Sequence, residues 1–190
     1  MAESGQHNHN DDVDVSRLLS ALSNTNDTEA RKRAAAALGN PSESVEQHKS
    51  AVIEKLTETA LTDTADTVRA EAINSLYFHG NDYVDQLASK LAGRSADSTA
   101  TFVEWLSSEH SPIRMVGAAG FQIGDGSQAT LEIKQAVTDS DPRVQVRAVR
   151  AYADLDPDSV EPIRPLLGTY NVTVRHAAVR ALIQIGTPDA

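Results

Sequence analysis

Apolar and small residues recur along this chain in blocks, and five blocks align without gaps. They are "ARKRAAAAL" (30–38), "VRAEAINSL" (68–76), "IRMVGAAGF" (113–121), "VQVRAVRAY" (144–152) and "VRHAAVRAL" (174–182). The fifth residue is always small: Ala34, Ala72, Gly117, Ala148 and Ala178. So is the eighth: Ala37, Ser75, Gly120, Ala151 and Ala181. The ninth is always large and apolar: Leu38, Leu76, Phe121, Tyr152 and Leu182. Positions one, five, eight and nine share one face of a helix. Small residues at five and eight let a neighbouring helix come close, and the large residue at nine fills the layer between units. Each block therefore predicts one helix packed on both sides.

A second amphipathic segment precedes each block: 13–23, 44–61, 99–109, 127–137 and 159–168. The last carries Pro162 and Pro165, so its helix starts late or bends. Asp27, Asp66, Ser111, Asp141 and Asn171 stand at or beside the helix starts, where their side chains can accept from free backbone N–H groups. Pro112 and Pro142 suit a first helical turn. An additional helix, "DYVDQLASKLAG" (82–93), explains why the second and third blocks start 45 residues apart, against 31 and 30 further on. Paired helices repeated every ~30–45 residues and stacked in one dimension form an α-solenoid.

The residues that carry these patterns, "DPRVQVRA" (141–148) and "AVRALIQIG" (178–186), resemble HEAT repeats, specifically the short type also found in bilin lyases. The resemblance spans roughly 13–186, strongest over the last two units and weakest at 13–38. It implies an all-α fold, a right-handed α-solenoid of about five HEAT-like helical hairpins with one extra helix. It also implies that the second helix of each pair lines the concave face. The domain plan is a disordered polar tail over 1–12 and a repeat domain over 13–190. HEAT proteins share shape rather than activity, so the resemblance transfers little about function.

Composition adjusts this picture. Hydrophobic residues make up 40% of the chain but aromatics only 4%, so the core must be built from Ala, Val, Leu and Ile. With zero cysteines, disulfides, thiolate metal sites and Cys nucleophiles are excluded. No run of 18 apolar residues and no leader segment is present, which predicts a cytoplasmic protein. The net charge is -10, and Asp supplies 16 of 27 acids while Lys supplies 5 of 17 bases. An Asp-rich, Lys-poor surface is similar to that of proteins from salt-in halophiles. The expectation is a chain that needs molar salt to fold fully; a melting temperature flat from low to multimolar KCl would overturn it.

The charge is unevenly spread. Residues 141–190 hold six arginines and six acids, whereas 1–140 hold eleven bases and 21 acids. Arg143, Arg147 and Arg150 are spaced four and three apart, so they lie along one helical face away from the packing positions. Arg180 repeats the position of Arg150 one unit later, and Arg33 that of Arg147 three units earlier. These arginines are either solvated or paired with Asp141, Asp154 and Glu161, or they form a concave surface for an anionic ligand. The family resemblance also suggests an Asp–Arg ladder through the inner turns, with Asp141 near Arg175. Arginine forks suit carboxylates and phosphates. No aromatics interleave them for base stacking, which disfavours nucleic acid.

Other candidates are weaker. His7 and His9 in "HNHN" belong to the polar tail, and His48, His79, His110 and His176 are scattered over different units. There is no His-x-x-x-His pair, no "HE", no P-loop, no GxGxxG and no GxSxG. "IGDGS" (123–127) reads as a helix stop and turn. Phe102, Trp105 and Tyr83 read as core around the insertion. Ile183 and Ile185, if exposed, would seed self-association or dock another subunit.

The functional expectation is a non-enzymatic protein–protein interaction scaffold or adaptor without catalytic residues, metal or cofactor. Its partner would be another protein, engaged via an acidic segment at Arg143, Arg147, Arg150 and Arg180, without membrane or nucleic acid. Two alternatives stand beside it. One is a cofactor-handling lyase-type or maturation factor; the other is anionic-ligand or nucleic-acid binding through the arginine ridge.

Overall fold

In this computed structural model, residues 14–24, 26–123, 129–155 and 159–186 are described. His7, His9, the 1–12 tail and most of "IGDGS" lie outside them.

Short polar side chains start several of the helices. Asp14 accepts the Arg17 N–H at 3.0 Å to open α1 (Val15–Ala21), and Asp27 accepts that of Ala30 at 2.8 Å to open α2 (Thr28–Gly39). Ser42 opens α3 (Glu43–Gln47), Asp97 opens α7 (Ser98–Leu106) and Asn171 opens α11 (Val172–Ile185). Asp141 accepts the Arg143 N–H at 2.8 Å where α10 (Pro142–Leu155) begins. The remaining helices are α4 (Lys49–Thr62), α5 (Asp66–His79), α6 (Asn81–Ala92), α8 (Ser111–Gly120) and α9 (Thr130–Ala136). α11 ends at Gly186, whose φ of 79° is the left-handed conformation that a side chain would strain.

Two segments depart from the simple reading. The stretch expected as one helix over 44–61 breaks at His48, giving α3 and α4. The proline-bearing stretch 159–168 forms only a 3-10 helix, Arg164–Gly168, because Pro162 and Pro165 lack the N–H groups an α-helix needs.

The block-bearing helices form one continuous layer, in which α2 packs on α5, α5 on α8, α8 on α10 and α10 on α11. Behind them α1, α4, α7, α9 and the 3-10 helix complete five hairpins. α6 is the extra helix and packs against both α5 and α8.

The pattern positions do what their sizes dictate. All five ninth residues are buried, as are all five fifth residues; among the eighth, Ala37 is half-buried. A Cβ on Gly117 would collide with backbone of α7, and one on Gly120 would enter the Phe102 ring. Phe102 and Phe121 meet edge to face at 5.8 Å. Ser75 Oγ, at an eighth position, donates to the Ala35 carbonyl at 2.9 Å and ties α5 to α2.

The arginine at position two ties units together electrostatically. Arg31 meets Asp63 through two hydrogen bonds of 2.7 and 3.0 Å, and Arg114 meets Asp139 through two of 2.7 and 2.9 Å. Each aspartate precedes the next block by five residues and also accepts the N–H two residues on, from Ala65 or Asp141. Each arginine also holds the carbonyl of its own inter-helix turn, at Asn24 for Arg31 and Ser108 for Arg114. The ladder thus runs through Asp63 and Asp139, and the pairing of Asp141 with Arg175 suggested by the family resemblance does not form. Asp141 is taken by Arg143, and Arg175 donates to the Thr169 carbonyl at 2.6 Å. Where the ladder position is Ser108 instead of Asp, Arg69 turns back to Asp66 and lies over the Trp105 ring, 5.3 Å away.

Candidate functional site

The face of α10 carries Arg143, Arg147 and Arg150 in one row, as their spacing dictates. It is not a uniformly solvated ridge. Arg150 is exposed, Arg143 is half-buried, and the Arg147 side chain is only 3% exposed. While α10 packs on α8, this face also reaches Asn74 on α5 and Asn81 at the start of α6.

Arg143 is fully engaged. Its Nη2 donates to Asp141 at 2.7 Å, its Nη1 to Asn74 Oδ1 at 2.8 Å, and its guanidinium lies 5.3 Å from the Tyr77 ring centroid. The hydrogen bond with Asp141 raises the Arg143 pKa against the opposing effect of burial. For Asp141, burial pushes the carboxyl up, but hydrogen bonds from Arg143, Ser111 and the Arg143 amide outweigh it and hold the pKa at about 2.

Arg147 is less well served. Its Nη2 donates to Asn81 Oδ1 at 2.5 Å and its Nη1 reaches the Arg143 carbonyl at a long 3.4 Å. Its Nε is buried without a hydrogen-bond partner; the carboxylate nearest it, Asp85, stands 3.7 Å away and is itself 46% exposed. Burial lowers the Arg147 pKa, Asp85 and Tyr77 oppose this, and the like charges of Arg150 and Arg143 add to it. The guanidinium remains protonated throughout.

These side chains line a cavity of about 420 Å³, together with Tyr77, Asn81, Pro142, Val146, Asn171 and Thr173. Three helix starts meet there, at Asn81 for α6, Pro142 for α10 and Asn171 for α11. Each contributes partial positive charge. The lining sets three guanidinium groups and the Asp141 carboxylate beside apolar Tyr77, Pro142 and Val146 and polar Asn81, Asn171 and Thr173.

The structure brings together three of the four arginines singled out by sequence. Arg180 is exposed on α11 and does not line the cavity, and Arg33 is exposed on α2. Of the expected pairing partners, Asp141 takes Arg143, while Asp154 accepts from Gln184 at 2.6 Å. Asn74, Tyr77, Asn81 and Asp85 were missed by sequence reasoning. Asn74 occupies the same block position as Arg150, the one cue that it shares a face with the ridge.

The histidines serve the fold where bonded. His79 Nε2 lies 2.7 Å from the Leu38 carbonyl and His48 Nδ1 lies 2.8 Å from that of Ser44. Among the described residues no group of three or more His, Cys, Asp or Glu is placed to hold a metal ion. No described helix is long and apolar enough to cross a membrane. Phe102 and Trp105 are buried and Tyr83 partly so, consistent with core.

Residues 130–190 match the family model for HEAT repeats. No curated protein matches the chain. Among solved structures, two crystal structures of engineered proteins are similar. One is 24% identical with a TM-score of 0.52, covering 91% of this chain and 79% of the other. The second is 23% identical with a TM-score of 0.53, covering 90% and 81%. At such identity these likenesses speak to the fold alone. Block pattern and architecture converge on an all-α solenoid, and its C-terminal units, residues 130–190, match HEAT repeats.

Proposed function

We propose that the chain is a non-enzymatic interaction scaffold whose row of second helices presents a curved surface to a partner protein. HEAT repeats generally mediate protein–protein interaction, which supports the coarse reading. The single observation that carries the finer one is the cavity lined by Arg143, Arg147 and Arg150 on a chain of net charge -10. A local positive site on an acidic surface orients an oppositely charged partner and discourages others. Arg180, exposed one unit further on, extends the positive track along α11. The outer face of α11 also exposes Val172, Val179 and Ile183, which supports docking of a second copy there.

The test is a pull-down in high salt with the full tagged chain and its Arg147→Gln/Arg150→Gln variant, both shown to be folded. A defined partner retained by the parent chain and lost by the variant is expected. Retention of no protein, or a visible absorbance band copurifying with the chain, overturns the scaffold reading, the latter in favour of a cofactor-handling factor.

A further inference from the structure

We propose that the cavity between α5, α10 and α11 receives one carboxylate side chain from an acidic segment of the partner, bound by the guanidinium groups of Arg147 and Arg150. This rests on the scaffold reading and names the chemistry of the segment it would hold.

Three observations carry it. The first is a buried donor without an acceptor. The Arg147 side chain is 3% exposed, yet its Nε makes no hydrogen bond, and 3.7 Å to Asp85 is beyond hydrogen-bonding range. Buried donors are nearly always satisfied, because an unmet one retains its desolvation cost. A carboxylate entering the cavity adds an acceptor beside this under-served guanidinium.

The second is charge. Asp141 compensates Arg143, whereas among the described residues the carboxylate paired with Arg147 is the half-exposed Asp85, at 3.7 Å. The starts of α6, α10 and α11 add positive potential at the same place, and Gly80 offers no side chain to cap α6.

The third is shape and surroundings. Tyr77, Pro142 and Val146 give apolar wall, and Asn171 and Thr173 give polar edge, around about 420 Å³. That suits one side chain with flanking backbone. A nucleic-acid strand would bring a line of phosphates against a chain of net charge -10, whereas a single carboxylate meets only the local positive site.

The experiment follows the Arg147 side-chain Nε–Hε resonance by NMR in the lowest KCl at which the chain is folded. The probes are an N-acetylated, C-amidated Ala-Glu-Ala peptide, its Ala-Gln-Ala counterpart, inorganic phosphate and a ten-nucleotide oligothymidine. A saturable shift with the Glu peptide and none with the Gln peptide is expected. Arg150→Gln, at an exposed position and so compatible with folding, should weaken the Glu peptide by about tenfold through loss of a charge-assisted contact. An Arg147 resonance indifferent to every probe overturns the site. A shift at lower concentration with phosphate or the oligonucleotide overturns the carboxylate assignment. Undiminished affinity in Arg150→Gln removes Arg150 from it. None of these outcomes touches the pull-down, so the inference can fail while the scaffold reading stands.

Discussion

Arg31 and Arg147 both sit on second helices and both are almost wholly buried, at 6% and 3% exposure, yet their surroundings differ. Arg31 faces Asp63, a carboxylate fixed by the Ala65 N–H, and meets it through two short bonds. Arg147 faces an amide oxygen, a carbonyl at a long 3.4 Å, and a carboxylate within ion-pair but beyond hydrogen-bonding distance. The same contrast separates Arg114 from Arg147. A buried guanidinium with its carboxylate supplied by the adjacent turn is part of the fold. One without it rests on weaker partners within the fold.

The largest expected effect tests the register on which both regions depend. Tyr152, 1% exposed, plugs the layer between α10 and its neighbours, so Tyr152→Ala should cost ~3–5 kcal/mol in a denaturant titration. A loss under about 1 kcal/mol would mean the block alignment is wrong.

The contrast itself can be broken by removing the acid from each side. Asp139→Ala strips Arg114 of two hydrogen bonds and should cost about 2–3 kcal/mol. Asp85→Ala removes only a long, exposed contact to Arg147 and should cost under about 0.5 kcal/mol. Equal costs from chemical denaturation would erase the distinction between ladder and site.

Acid titration sharpens it further. The Asp141 pKa is depressed from 3.8 to about 2, so its contribution is present above the ordinary value and lost as pH falls towards about 2. Asp63, which burial would raise, is also lowered by its bond from Arg31 and fades in the same direction. Asp141→Asn should therefore flatten the loss of stability between those two pH values, and an unchanged acid limb would contradict the pairing with Arg143. The smallest effect belongs to Arg150→Gln. Being exposed, it should shift stability by less than about 0.5 kcal/mol, checked by thermal unfolding.

Much of this architecture was legible because it is local. Helix starts follow from Asp27, Asp141 and Asn171 acting on N–H groups two or three residues away. The small positions Gly117 and Gly120 and the large Tyr152 follow from a period shorter than a helix. The insertion showed itself as a change of spacing. What misled was also local: the 44–61 segment has a helical pattern throughout, and nothing in it marks the break at His48. The spacing of the arginine row showed that its members share a face, but gave no measure of how deeply each sits.

By itself the sequence determined most of the helices, the caps at Asp27, Asp141 and Asn171, the five-unit stack and the placing of three arginines in one row, but not the starts of α5 and α8, where neither Asp66 nor Ser111 caps. Only the tertiary structure decided that Arg147 is buried, that Asn74 and Asn81 meet α10 across 69 and 66 residues, and that three helix starts share one cavity. The physical reason is distance along the chain. Helical periodicity and capping act over a few residues, whereas burial and charge compensation depend on how successive units curve back on one another, summed over the packing of every unit between.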